Sequence, residues 1–115
     1  MAKVSDKKNS PHYVWGNNCD SWILSENALL SVKQETMPAG TKELLHFHSK
    51  SQQYFFILNG IATFYVDKEK LIVHQNQGIY IKQNRQHYIA NETDEPIEFL
   101  VISQPAINND RTNLE

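Results

Sequence analysis

The sequence is short of most features that mark a specialised chain. Its 115 residues include a single cysteine, Cys19, so no intrachain disulfide can form, which fits a reducing compartment. No apolar stretch approaches the roughly 18–20 residues that a membrane-spanning helix needs. Met1 to Asn9 carry charge with no apolar run behind them, unlike a secretory signal. The net charge of −2 gives no global basic field to attract nucleic acid or acidic lipid. Lys3, Lys7 and Lys8 form a basic cluster, but they lie in a polar stretch where solvation is the ordinary role. There is no phosphate-cradling glycine loop, no Gly-X-Ser-X-Gly elbow and no Cys-X-X-Cys pair. A sustained 3.6-residue period, an internal repeat and a low-complexity tract are also missing. The expectation is a small cytoplasmic protein that binds neither membrane nor nucleic acid.

What is there reads as β-structure. The length suits one domain with one core, and a hydrophobic content of 40% is that of an ordinary globular chain. Residues 1–12 read as a loose arm, 13–104 as the folded domain and 105–115 as a polar tail. Short apolar runs predict strands at 22–24, 29–35, 43–48, 53–58, 61–66, 70–74, 78–81, 87–91 and 97–103. Turn residues separate them: Met37-Pro38-Ala39-Gly40, Asn59-Gly60, Val66-Asp67-Lys68-Glu69 and Asn76-Gln77-Gly78. Asn59-Gly60 is a strong hairpin marker, because both residues tolerate positive φ. Many short strands at regular spacing predict an all-β sandwich or barrel.

Three histidines and a glutamine are spaced to grip one metal ion. His46 and His48 are two apart, so on a strand both imidazoles share a face, roughly 6–7 Å apart along the chain. Gln53 opens the next apolar run and His87 a later one, so neighbouring strands can each supply a further donor. Alternation puts Leu44 inward with the two histidines, and Phe55 and Ile57 inward with Gln53. Tyr54, Phe56 and Leu58 then face outward, which leaves an apolar outer face to be covered by a second sheet or by a partner subunit. That pattern predicts a homodimer. A one-residue slip would turn Gln52 inward in place of Gln53.

The spacing Gly40-(five)-His46-X-His48-(four)-Gln53-(six)-Gly60 resembles the first signature of the cupin superfamily, written G-X5-H-X-H-X3/4-E-X6-G. The ending His87-Tyr88-Ile89-Ala90-Asn91 resembles the second, in which asparagine follows a histidine after three residues. Where that motif usually carries glycine, proline and glycine, this chain has Asn76, Lys82 and Asn84. Asparagine tolerates left-handed backbone and can replace glycine there. The resemblance implies a jelly-roll barrel with one divalent metal ion per subunit, held by His46, His48, His87 and the residue at 53. A cupin normally presents glutamate at that place. Gln53 offers a neutral amide oxygen, so the ion would keep its full charge, be held more weakly and suit an anionic substrate. Alternatively Gln53 does not bind, and the donors are the three histidines alone.

Other residues have plainer readings. Asn91 lies about 13 Å along the strand from His87, too far to share its ion, and is expected to satisfy backbone groups or line the pocket. Phe55, Ile57 and Phe64 are candidates for an apolar pocket wall, and Arg85 for a pocket-mouth partner of a substrate carboxylate. Arg85 also reads as a solvated turn residue. His12 and His74 lack partners at useful spacing, and Cys19 reads as a buried inert thiol. Glu35, Glu43, Glu92 and Glu98 fall near strand ends, where carboxylates are usually solvated, so no acid–base pair is expected. Three function classes follow: a metal-dependent enzyme on a small molecule, a small-molecule sensor, or a barrel with a lapsed site. A dioxygenase with iron is the first expectation, with isomerase or epimerase chemistry on manganese, nickel or zinc as the alternative.

Overall fold

Alternating apolar and polar residues fold into eleven strands, seen in a computed structural model that describes residues 2–115. They are β1 (His12–Trp15), β2 (Cys19–Glu26), β3 (Ser31–Met37), β4 (His46–Phe47), β5 (Gln52–Asn59) and β6 (Ala62–Val66). β7 (Glu69–Val73), β8 (Gly78–Ile81), β9 (His87–Ala90), β10 (Ile97–Gln104) and β11 (Thr112–Asn113) complete the set. They pair into a six-stranded sheet, ordered β1-β2-β3-β10-β5-β8, and a five-stranded sheet, ordered β11-β4-β9-β6-β7. Every pairing is antiparallel. This is the all-β jelly roll that the sequence predicts.

Turn chemistry sets the register. Gly60 stands at φ 90°, and a Cβ there would lie 2.7 Å from the Ile97 side chain, so only glycine fits. Asp67 and Lys68 form the two-residue link between β6 and β7, both at positive φ, as a twisted hairpin requires. Asn76 and Asn84 also adopt left-handed φ, 65° and 69°, so asparagine does take the place of the usual glycines.

The core fills the space between the sheets. Phe64 and Phe99 are fully buried, with Met37, Ile57, Ile89 and Ile97 around them. Phe55 meets Phe64 edge-on at 5.0 Å and lies 5.9 Å from Phe99. On β5, Gln53, Phe55 and Ile57 are buried while Gln52, Tyr54 and Phe56 face outward. The alternative register is thereby settled: Gln52 bonds Gln104 and the Tyr80 hydroxyl on the outside.

One local expectation is corrected. The strand predicted over 43–48 pairs regularly only at His46–Phe47, while Leu44, 48% exposed, lines the same open cavity as His46 and His48. The cause is Glu43, whose carboxylate takes the Ile89 N–H at 3.0 Å, a donor that a regular ladder would give to a backbone carbonyl. The chain beyond residue 104 returns to the barrel. There β11 pairs with β4 through Thr112↔Phe47 and Asn113↔His46. At the other end, Asp6 caps a short 3-10 turn at Lys7–Asn9, and Lys7 pairs with Glu98 and sits over the Trp22 ring.

Candidate metal centre

Two strands and one loop bring the histidines together. His46 on β4 and His87 on β9 are direct partners across the ladder, and their ring centroids lie 4.4 Å apart. His48 follows β4 by one residue, with its ring 4.9 Å from His46 and 5.6 Å from His87. One potential ligand atom from each of the three falls within 4.8 Å of the others, and all three residues are buried.

The rings are oriented from behind. Each Nδ1 lies against a main-chain oxygen: His46 to Leu44 at 2.7 Å, His48 to Asp110 at 2.6 Å and His87 to Arg85 at 2.8 Å. A neutral imidazole that donates from Nδ1 carries its free lone pair on Nε2. Burial keeps the rings neutral, pulling His46 down to about 3 and His87 to about 4, and lowering His48 as well. The Nε2 of His48 is buried with no hydrogen-bond partner. A buried acceptor without a donor is costly, and a cation at the centre of the three rings removes that cost. The residues present therefore fit a metal ion.

Gln53 reaches the cluster from the opposite sheet. Its Oε1 lies 3.1 Å from Nε2 of His87, while its Nε2 donates to the Ser103 hydroxyl at 3.1 Å. Ser103 is the direct cross-strand partner of Gln53 on β10, so the amide is held between that hydroxyl and the histidines.

The cluster opens into a cavity of about 660 Å3. His46, His48 and Gln53 line one part, Phe55, Val101 and Ile107 give it apolar wall, and Glu35, Glu43, Lys33 and Arg111 bring charge. Burial pushes the Glu43 carboxyl up to about 7, against the pull of Arg111, whose Nη1 lies 3.7 Å away, and of the Ile89 N–H. Burial raises Glu35 too. Lys33 donates to the Tyr13 hydroxyl at 3.0 Å.

Of the candidate pocket residues, Phe55 lines the cavity. Ile57 and Phe64 are instead fully buried in the core beneath it, because their strands run on past the site. Arg85 does not line the cavity; its side chain is held on the surface by Asp67 at 2.8 Å. Arg111, from the tail, lines the cavity instead. Asn91 is buried and donates to the Met37, Pro38 and Glu95 carbonyls, the backbone role expected of it. Sequence reasoning missed Glu43, Glu35, Lys33 and Arg111. A signal existed for two of them: Lys33 and Glu35 are two apart on β3, between buried Ser31 and Met37, the same spacing that exposed the histidine pair.

The comparisons agree with this architecture. A family model described as a cupin domain matches residues 33–103. The chain belongs to the cupin family. An uncharacterised protein of Methanocaldococcus jannaschii is 32% identical over 118 residues, spanning 99% of this chain and 94% of its own. A Streptomyces nucleoside dehydratase solved with uridine has a TM-score of 0.83 at 17% identity, covering 100% of this chain and 92% of its own. An RmlC-like cupin from Shewanella frigidimarina has a TM-score of 0.84 at 14% identity, over 95% and 96% of the two chains. Identities this low speak for the fold alone. Among the described residues, no helix is long and apolar enough to cross a membrane.

Proposed function

We propose that this cupin is a metal-dependent enzyme that moves a proton on a small anionic substrate. One observation carries the reading: a neutral three-histidine cluster opens, through His46 and His48, into a cavity that is also lined by Glu43, whose carboxyl is poised at about 7. His46, His48 and His87 would hold one divalent ion, iron, manganese, nickel or zinc, with Gln53 as a fourth donor. When bound, that ion would polarise a substrate oxygen as a Lewis acid.

The remaining work falls to side chains. A carboxyl near neutral pH can both accept a proton and return it, which suits Glu43 to general acid–base catalysis. Arg111 donates from Nε to the Asn113 side-chain oxygen at 2.9 Å and lies 3.7 Å from Glu43 and 3.5 Å from the Leu44 carbonyl, so the outer nitrogens of its fork retain donors for a substrate carboxylate. Phe55, Val101 and Ile107 exclude water from one flank. With only neutral donors around the ion, the site carries positive charge that an anionic substrate would balance.

Glu43 is also why isomerisation, epimerisation or loss of water now ranks above the oxygenase expected from sequence. The dehydratase with the same fold is named for a redox-neutral reaction of that kind. The oxygenase is the second reading, supported by the histidine donor set if the resident ion is iron. A sensor would use the same cavity without turnover. For assembly, the reading is a homodimer through the outer face of the six-stranded sheet, where Tyr54 and Tyr80 pair across strands, 41% and 57% exposed. A cytoplasmic location accords with the lone cysteine.

The test begins with elemental analysis of untagged protein purified without chelators. Candidate hydroxy and oxo acids are then incubated with it in D2O and followed by NMR, with O2 uptake recorded in parallel. Near-stoichiometric metal and deuterium incorporation that Glu43→Gln abolishes are the expected results. O2 uptake without exchange would move the reading to an oxygenase. Ligand-induced stabilisation without turnover would mark a sensor. Protein that neither holds nor takes up metal overturns the proposal.

A further inference from the structure

One residue of the returning chain is engaged at both ends. Asn109 adopts a left-handed φ of 58°, which turns the backbone so that Asp110 meets the loop after β4. The main-chain oxygen of Asp110 accepts from Nδ1 of His48 at 2.6 Å. Its carboxylate accepts from the backbone N–H groups of Ser49 at 2.9 Å, Lys50 at 3.0 Å and Ser51 at 2.9 Å, and from the Ser49 hydroxyl at 2.9 Å. Charge-assisted bonds to three successive amides fix where that loop sits against the returning chain.

The three histidines differ in what orients them. His46 and His87 bond carbonyls two residues earlier in the chain, Leu44 and Arg85, each just before the strand that carries the ring. Those partners travel with the ring they hold. His48 alone depends on a segment 62 residues away, and its Nε2 is the buried nitrogen left without a partner.

We propose that Asp110 is a positioning residue of the metal site: its carboxylate clamps the returning chain to residues 49–51, so that its carbonyl holds the His48 ring. The clamp also fixes the next residue, Arg111, whose side chain lines the cavity. The inference rests on the reading that the histidines bind metal. Groups that orient a ligating histidine change metal affinity by about 10–100-fold when removed, without touching the ion.

The test uses the full chain as wild type, Asp110→Ala and Asp110→Asn. Each is titrated with Co2+ while its visible ligand-field absorption is followed, and each is melted without metal. Asp110→Ala is expected to bind Co2+ about tenfold or more weakly, with a changed spectrum at saturation. A merely structural role would lower the metal-free melting temperature and leave affinity and spectrum unmoved, which overturns the inference. If Asp110→Ala does not fold, Asp110→Asn decides. It keeps one acceptor oxygen and is expected to bind Co2+ at least several-fold more weakly; wild-type affinity in it overturns the inference. Wild-type protein that takes up no Co2+ overturns the metal reading itself, a different result from equal binding by all three.

Discussion

Gln53 Oε1 lies 3.1 Å from Nε2 of His87, and both atoms are acceptors. The His87 proton sits on Nδ1, where the Arg85 carbonyl takes it at 2.8 Å, and the Gln53 amide nitrogen is turned to Ser103. Two lone pairs facing one another at that distance suit a shared cation. Replacing the amide by a carboxylate would add negative charge to the donor set. Gln53→Glu is therefore expected to raise divalent-metal affinity by roughly tenfold or more, and to weaken binding of an anionic substrate. Competition titration against a chelator reads the first effect, and unchanged or lower affinity counts against Gln53 as a ligand.

Stability should depend on pH in two opposed ways. Burial holds His46 at about 3 and His87 at about 4, below the ordinary 6.5. Between those values the unfolded chain binds more protons, so metal-free protein loses stability as pH falls from about 6.5 toward 4. Glu43 is raised to about 7 from 4.5, so the folded chain binds more protons there and stability falls as pH rises through that window. The two histidines outweigh one carboxyl below 6.5, which places the optimum at roughly pH 6–7. Urea midpoints from pH 4 to 8 check this; a flat acid limb would mean the rings are not held neutral.

Turnover should carry the signature of Glu43. Glu43 stands at about 7 without metal and a bound cation would lower it, so the wild-type rate profile is expected to show a limb at or below pH 7, and Glu43→Gln to lower kcat by about 10²–10⁴ and erase that limb. Retention of the limb in Glu43→Gln would assign it to another group.

Arg111 pulls the Glu43 carboxyl down against burial. Arg111→Met should therefore move the limb to higher pH and raise KM for an anionic substrate by about tenfold, the order of one charge-assisted contact. A KM unaffected by the change would remove Arg111 from the substrate's path.

Phe55 and Phe64 touch but should separate cleanly in experiment. Phe64 is fully buried, and Phe64→Ala is expected to cost about 3–5 kcal/mol of stability. Phe55 lines the cavity, so Phe55→Leu should alter KM more than the denaturation midpoint. Comparable KM changes for Phe64→Leu would place that ring nearer the substrate than its burial indicates.

The parts of this molecule that were legible beforehand are those governed by neighbours in sequence. His46 and His48 share a face because a strand alternates, and Gln53, Phe55 and Ile57 follow the same rule. Left-handed asparagines at 76 and 84 are likewise a local matter of backbone sterics. What escaped notice depends on distant chain. Glu43 reads as a solvated strand end until Ile89 is seen donating to it. Arg111 reads as part of a polar tail until β11 is seen beside β4. Arg85 and Arg111 are the same residue type in equally polar surroundings, and only the fold tells which one faces the cavity.

The clasp made by Asp110 has a consequence for what a shortened chain would keep. β4 and β9 bring His46 and His87 into register by themselves, whereas the His48 ring takes its carbonyl from the returning segment. A chain clipped before residue 110 would retain all three histidines and lose both the group that orients one of them and the Arg111 side chain that lines the cavity.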